Sequence, residues 1–139
     1  MHIHEHQLRY LLKVSIAFIF LWAFFDKLLG LGFSTQSGQA WIDGVSPTAG
    51  YLQYAVHGPL AEVFRRLSGL LVVDVLFMTG LLGVGLGLLL PRFTRFSAYT
   101  GVVMLMLMYL SAFPPEHHPI IDEHIVYSFA LLVLVKKKH

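Results

Sequence analysis

No cysteine occurs among the 139 residues. Its absence excludes disulfides, thiol redox chemistry and zinc–thiolate sites, and it removes the usual sequence clue to compartment. Charge is scarce as well. Asp, Glu, Lys and Arg make up 13% of the chain, against 56% hydrophobic residues and a mean hydropathy of +0.68. A chain this short and this apolar lacks the polar surface with which a soluble domain covers its core. The formal charge of +2 records basic residues flanking apolar runs, so nucleic acid is not an expected partner. No haem-attachment or flavin-binding signature is present, so any redox chemistry here needs a carrier from outside the chain.

What remains is a set of long apolar runs. They predict an all-α integral membrane protein, a single domain over 1–139 that forms an antiparallel four-helix bundle with lipid as its surroundings. Spans are expected at about 10–33, 70–90, 96–113 and 119–135. The first is too long for a signal-peptide core, and no small-residue cleavage site follows it. Between the first two spans, 34–69 is too polar for the bilayer and too long for a simple turn, which predicts an outer cap. Within it Pro59 opens a short amphipathic helix, with Leu60, Val63, Phe64 and Leu67 at helical spacing on its apolar face. Gly83 and Gly87 form a GxxxG pair, read as helix packing. The fourth span is the most informative: Pro119 suits a first helical position, Asp122 and Glu123 suit the first turn, and Lys136 to Lys138 suit the last.

Basic residues set the orientation. With both termini in the cytoplasm, Arg9, Lys13, Arg92, Arg95 and Lys136 to Lys138 fall on the inner side and only Arg65 and Arg66 on the outer. The positive-inside rule therefore predicts a multi-pass protein of a prokaryotic plasma membrane with cytoplasmic termini.

This topology brings polar groups from every span to one depth: Asp26 with Lys27, Asp74, Tyr109, and Asp122 with Glu123, His124 and Tyr127. On the first helix Ser15, Trp22 and Asp26 share a face. A carboxylate in lipid costs several kcal/mol unless paired, so such residues mark a functional site by default. Plainer readings stand beside that one. Asp122 and Glu123 serve equally as first-turn residues, and Asp26 with Lys27 as an interfacial pair. The acids outnumber Lys27, which predicts a protonated carboxyl or a protonated His124 in the layer. His2, His4 and His6 alternate as metal ligands on a short strand would, but on a free terminus they are expected to be solvated, and no metal is assigned. A haem on His57 or His124 is likewise set aside.

Four blocks carry a family resemblance: WAFFDKLLGLGFST (22–35), WIDGVSPTAGYL (41–52), DVLFMTGLLGVGLGLLL (74–90) and HPIIDEHIVYSFALLVL (118–134). Together they resemble the successive blocks of the DoxX/DoxD family of four-helix membrane proteins, over nearly the whole chain. That family includes the membrane subunit of thiosulfate:quinone oxidoreductase. The resemblance implies a quinone-facing role in electron transfer and matches the polar positions Asp26, Lys27, Ser46, Asp74, Asp122, His124 and Tyr127. From their chemistry, Lys27 and His124 are expected to hydrogen-bond a quinone carbonyl, Asp26 or Asp122 to relay protons, and Trp22, Tyr109 and Tyr127 to stack on the ring. The pocket would face outward beneath the cap. Electrons would come from a partner membrane or extracytoplasmic redox subunit, and self-association is compatible with the glycine-rich second span. The competing expectation is a non-catalytic accessory or assembly subunit of a larger membrane complex; a solute carrier is the third.

Overall fold

Apolar runs punctuated by glycine, proline and capping acids fold into five helices: α1 (Glu5–Leu29), α2 (Ala61–Arg65), α3 (Leu71–Leu89), α4 (Thr94–Ser111) and α5 (Glu123–Val135). A 3-10 turn at Trp41–Asp43 and a π-helical turn at Tyr51–Ala55 lie between α1 and α2. The computed structural model describes residues 3–117 and 119–136 and is all-α. α1 and α3 are long and apolar enough to cross a membrane by length and composition.

Element boundaries differ from the expected spans for local reasons. α1 starts at Glu5, so His4 and His6 begin a helix, with their rings stacked 5.7 Å apart, and do not form the strand that would chelate a metal. His2 lies outside the described residues. α1 ends at Gly30, whose φ of 68° is open to glycine and strained for other residues, and whose N–H returns to the Asp26 carbonyl. Leu31 to Phe33 are apolar, yet they belong to the loop. α5 begins after Asp122 and not at Pro119, because the Asp122 carboxyl accepts the N–H groups of His124 and Ile125 and so takes the N-cap position. The helix expected after Pro59 is the single turn α2. Of its apolar set only Phe64 is drawn inward, against Leu52, Val56 and Ala61, while Leu60, Val63 and Leu67 stay exposed.

The four longer helices pack in the order α1, α3, α4, α5, with a narrower contact closing α5 onto α1. They share one core, built from Ile16, Ala17 and Phe20 of α1, Met78, Leu81, Val84 and Leu88 of α3, Ala98 and Leu105 of α4, and Leu131 of α5. Missing side chains allow the approach. A Cβ at Gly85 would stand 2.5 Å from Leu21 Cγ, and one at Gly101 would stand 2.8 Å from Leu131 Cδ1. The GxxxG pair does not pack as a unit: Gly87 abuts Ser97, whereas Gly83 has no neighbour within 4 Å of a built Cβ.

Hydrogen bonds define two ends. At one, Arg9 Nη2 donates to the carbonyls of Leu134 and Lys136, joining the start of α1 to the finish of α5. At the other, the 30–70 loop meets the end of α1, the start of α3 and the end of α4. Neighbouring helices therefore run antiparallel. Between the two ends the outward faces are apolar: Phe18 is 61% exposed and Phe96 75%, with Leu76, Val103 and Phe129 in the same condition.

Candidate functional site

Three aspartates that are buried or half-buried stand at the loop end, each with its own donors, and among the described residues no hydrogen bond joins one to another. Asp26, in the last turn of α1, is 1% exposed. Its Oδ2 accepts from Ser34 N at 2.9 Å, Ser34 Oγ at 2.8 Å and Thr35 N at 2.9 Å, and its Oδ1 accepts from Phe33 N at 3.2 Å. Lys27 Nζ reaches the same Ser34 Oγ at 3.4 Å. A carboxylate taking four donors from one short segment is a loop anchor with its lone pairs spent.

Asp122 is likewise engaged. Oδ1 caps α5 through His124 N at 3.0 Å and Ile125 N at 3.3 Å, and Oδ2 holds His124 Nδ1 at 2.9 Å. That pairing turns the imidazole back on its own helix start and leaves only Nε2 unengaged. Asp122, Glu123 and His124 bring one ligand atom each within 4.8 Å of one another, but capping accounts for Asp122 and Glu123 is exposed. Tyr109 OH donates to the Ile120 carbonyl at 2.6 Å, clamping the α4–α5 connection. Trp22 lies on the outer face, stacked on Phe18 at 5.8 Å and edge-on to Phe33 at 4.9 Å. Tyr127 packs against the core from a half-buried position.

Asp74 is different. It sits in the first turn of α3, 4% exposed, and its Oδ1 accepts from Ser46 Oγ and Thr48 Oγ1, each at 2.6 Å. The Ser-Pro-Thr turn supplies both donors: Pro47 breaks the chain between them, and Ser46 Oγ in turn accepts Ala49 N at 3.1 Å. Oδ2 has no hydrogen-bond partner among the described residues and keeps accessible surface. Asp74 lines a pocket of about 360 Å³ with Trp41, Gly44, Ser46, Gly69 and Leu71. Trp41, two glycines, a hydroxyl and an uncommitted carboxyl oxygen line an open depression of mixed polar and apolar character, at the small end of ligand pockets.

Of the residues expected from sequence, Asp74 and Ser46 share this pocket. Asp26, Lys27, Asp122, His124, Trp22, Tyr109 and Tyr127 do not line it. Trp41 and Thr48 were missed, although both lie in the 41–52 block, where the tryptophan beside two glycine-containing turns was the available signal. Ser111 was missed too. Buried at the end of α4, it holds Tyr51 OH at 2.7 Å and so ties the loop to that helix. Comparisons with known protein families, with characterised proteins and with solved structures find no match to this chain.

Proposed function

We propose that this chain is a four-span membrane protein, with α1, α3, α4 and α5 as spans and the 30–70 loop as an outer cap, and that it binds a quinone head group in the Asp74 pocket as the membrane subunit of a quinone-linked oxidoreductase. The exposed apolar faces on all four helices support the membrane setting, since water would make them costly. Arg9, Lys13, Arg92, Arg95 and Lys136 lie at the end away from the cap, which supports cytoplasmic termini. At about 1.5 Å per residue α5 is roughly 20 Å long, shorter than a bilayer core of about 30 Å, so its capped start lies below the outer boundary and continues through 119–122. The resemblance to the DoxX/DoxD family points the same way.

The observation that carries the quinone reading is the free Oδ2 of Asp74. With Oδ1 held by two hydroxyls, Oδ2 is the atom that can carry a proton and donate it to a ring carbonyl, or accept one from the quinol hydroxyl. Trp41 stacks on the ring, and Ser46 fixes the carboxyl. The quinone takes two electrons and two protons on becoming quinol. Asp74 passes one of the protons, water at the open side of the pocket supplies the second, and a partner redox subunit supplies both electrons.

Asp74→Asn is the discriminating change, because the amide oxygen still accepts Ser46 and Thr48 while the pocket atom becomes an NH2 that cannot release a proton. The gently purified parent is expected to yield stoichiometric quinone on solvent extraction and mass spectrometry. Trp41→Ala should lose it, and Asp74→Asn should keep the fold but lose quinone-dependent turnover in membranes containing the partner. No quinone in the parent would end this reading. The accessory-subunit reading would then stand, since Asp26 and Asp122 are fully engaged in structural hydrogen bonds and the broad apolar faces suit contact with a larger complex. Its mark is a stoichiometric large partner without ligand.

A further inference from the structure

A second, open groove of about 500 Å³ lies between α3 and α4, with no α1 residue in its lining. Gly80, Gly83, Gly87, Phe93 and Phe96 are among its lining residues. It runs from Leu76 to Leu90, fourteen residues of helix or about 21 Å, more than the roughly 15 Å depth of one leaflet. Glycine linings often mark helix packing, but no helix of this chain fills the groove at Gly83, where a built Cβ meets nothing within 4 Å.

Two further observations give the groove a direction. Ser97, on its wall and 3% exposed, has no hydrogen-bond partner for its Oγ among the described residues, whereas Thr94, Thr100, Ser111 and Ser128 each donate to a carbonyl. That Oγ keeps accessible surface on the groove, so it is a hydroxyl open to an acceptor from outside the chain. At the same end the turn between the helices carries Arg92 and Arg95, exposed and paired with no acid among the described residues. Thr94 Oγ1, donating to the Leu88 and Leu90 carbonyls at 3.2 and 3.1 Å, fixes that turn against the end of α3.

From this order of cations, then an unpartnered donor, then a long apolar trough, we infer that the groove binds one anionic phospholipid, with its phosphate at Arg92 and Arg95, an ester carbonyl on Ser97 Oγ and an acyl chain over Gly83. The charges match the occupant, and the donor stands about 4–5 Å deeper than the start of α4, where ester groups lie beneath phosphates. A lipid held here would brace the α3–α4 pair. The inference rests on the membrane reading and is independent of the quinone.

Native mass spectrometry of the full chain in detergent, titrated with phosphatidylglycerol or phosphatidylcholine, tests it. One phosphatidylglycerol should bind at least fivefold tighter than phosphatidylcholine. Arg92→Gln with Arg95→Gln should remove that preference, at about fivefold per arginine. Gly83→Leu should abolish binding of both lipids, with thermal unfolding unchanged because its side chain enters open space. Equal binding of the two lipids, or a Gly83→Leu variant that still binds, overturns the site. So does a parent dimer that Gly83→Leu converts to monomer, since a second copy would then be the occupant. Carbonate extraction separates the premises: a chain released from membranes overturns the membrane reading and this site together, and a retained chain without lipid preference overturns this site alone.

Discussion

Asp26 and Asp74 are both buried aspartates in helix end turns, and the same local sequence logic marks both. What separates them is the number of donors brought to each. Asp26 accepts from Phe33, Ser34 and Thr35, whereas Asp74 gives one oxygen to Ser46 and Thr48 and keeps the other open. Replacing Asp26 with Asn puts an amide NH2 against an N–H donor and removes a charged acceptor, so Asp26→Asn should destabilise the fold by about 2 kcal/mol. Asp74→Asn should cost less, since both hydroxyl bonds survive. Denaturant-titrated unfolding in micelles, compared for the two variants, reads the difference, and equal losses would mean that Asp74 is as much an anchor as Asp26. Any loss of quinone from Asp26→Asn is then an effect of the fold. That aspartates gather at one end was legible in the sequence. Which acid stays available was not, because the donors arrive from loop residues whose return path no local pattern encodes.

Among the elements, α3 carries the clearest division of labour. Its glycines read alike in the sequence, yet Gly85 touches Leu21 of α1, Gly87 touches Ser97 of α4, and Gly83 opens onto the groove. Gly85→Ala should therefore destabilise the helix packing by about 1–3 kcal/mol through overpacking. Gly83→Ala should be neutral or stabilising by up to about 1 kcal/mol, as alanine is the better helix former. Thermal unfolding of the two variants checks this, and the reverse order would mean that the GxxxG pair is the close contact after all. The cap also divides into parts. The Leu52, Val56 and Ala61 cluster with Phe64 fastens it to Val73 of α3, and Tyr51 fastens it to Ser111 of α4. Sequence spacing marked α2 as an amphipathic surface helix. A single turn that buries Ala61 and half-buries Phe64 is what forms, because the cap's own apolar residues are the nearest partners.

For the whole molecule, the absence of cysteine permits a direct test of topology. Single cysteines at Ser37 in the cap and at Arg92 in the α3–α4 turn should be labelled by an impermeant maleimide from opposite faces of the membrane, the first in intact cells and the second only after lysis. Labelling of both in intact cells would break the proposed four-span arrangement. The sequence by itself determined the helical class, the approximate helices and the end of the molecule at which the acids gather, because hydropathy, capping and glycine punctuation act over a few residues. It also marked Asp74 and Ser46. Only the tertiary structure decided that these two share a pocket with Trp41, that Asp26 and Asp122 are taken up by backbone N–H groups and neighbouring side chains, and that Trp22 faces outward. The physical reason is separation along the chain. Ser46 and Asp74 are 28 positions apart, and a hydrogen bond across that distance exists only once the loop has folded back and the helices have packed.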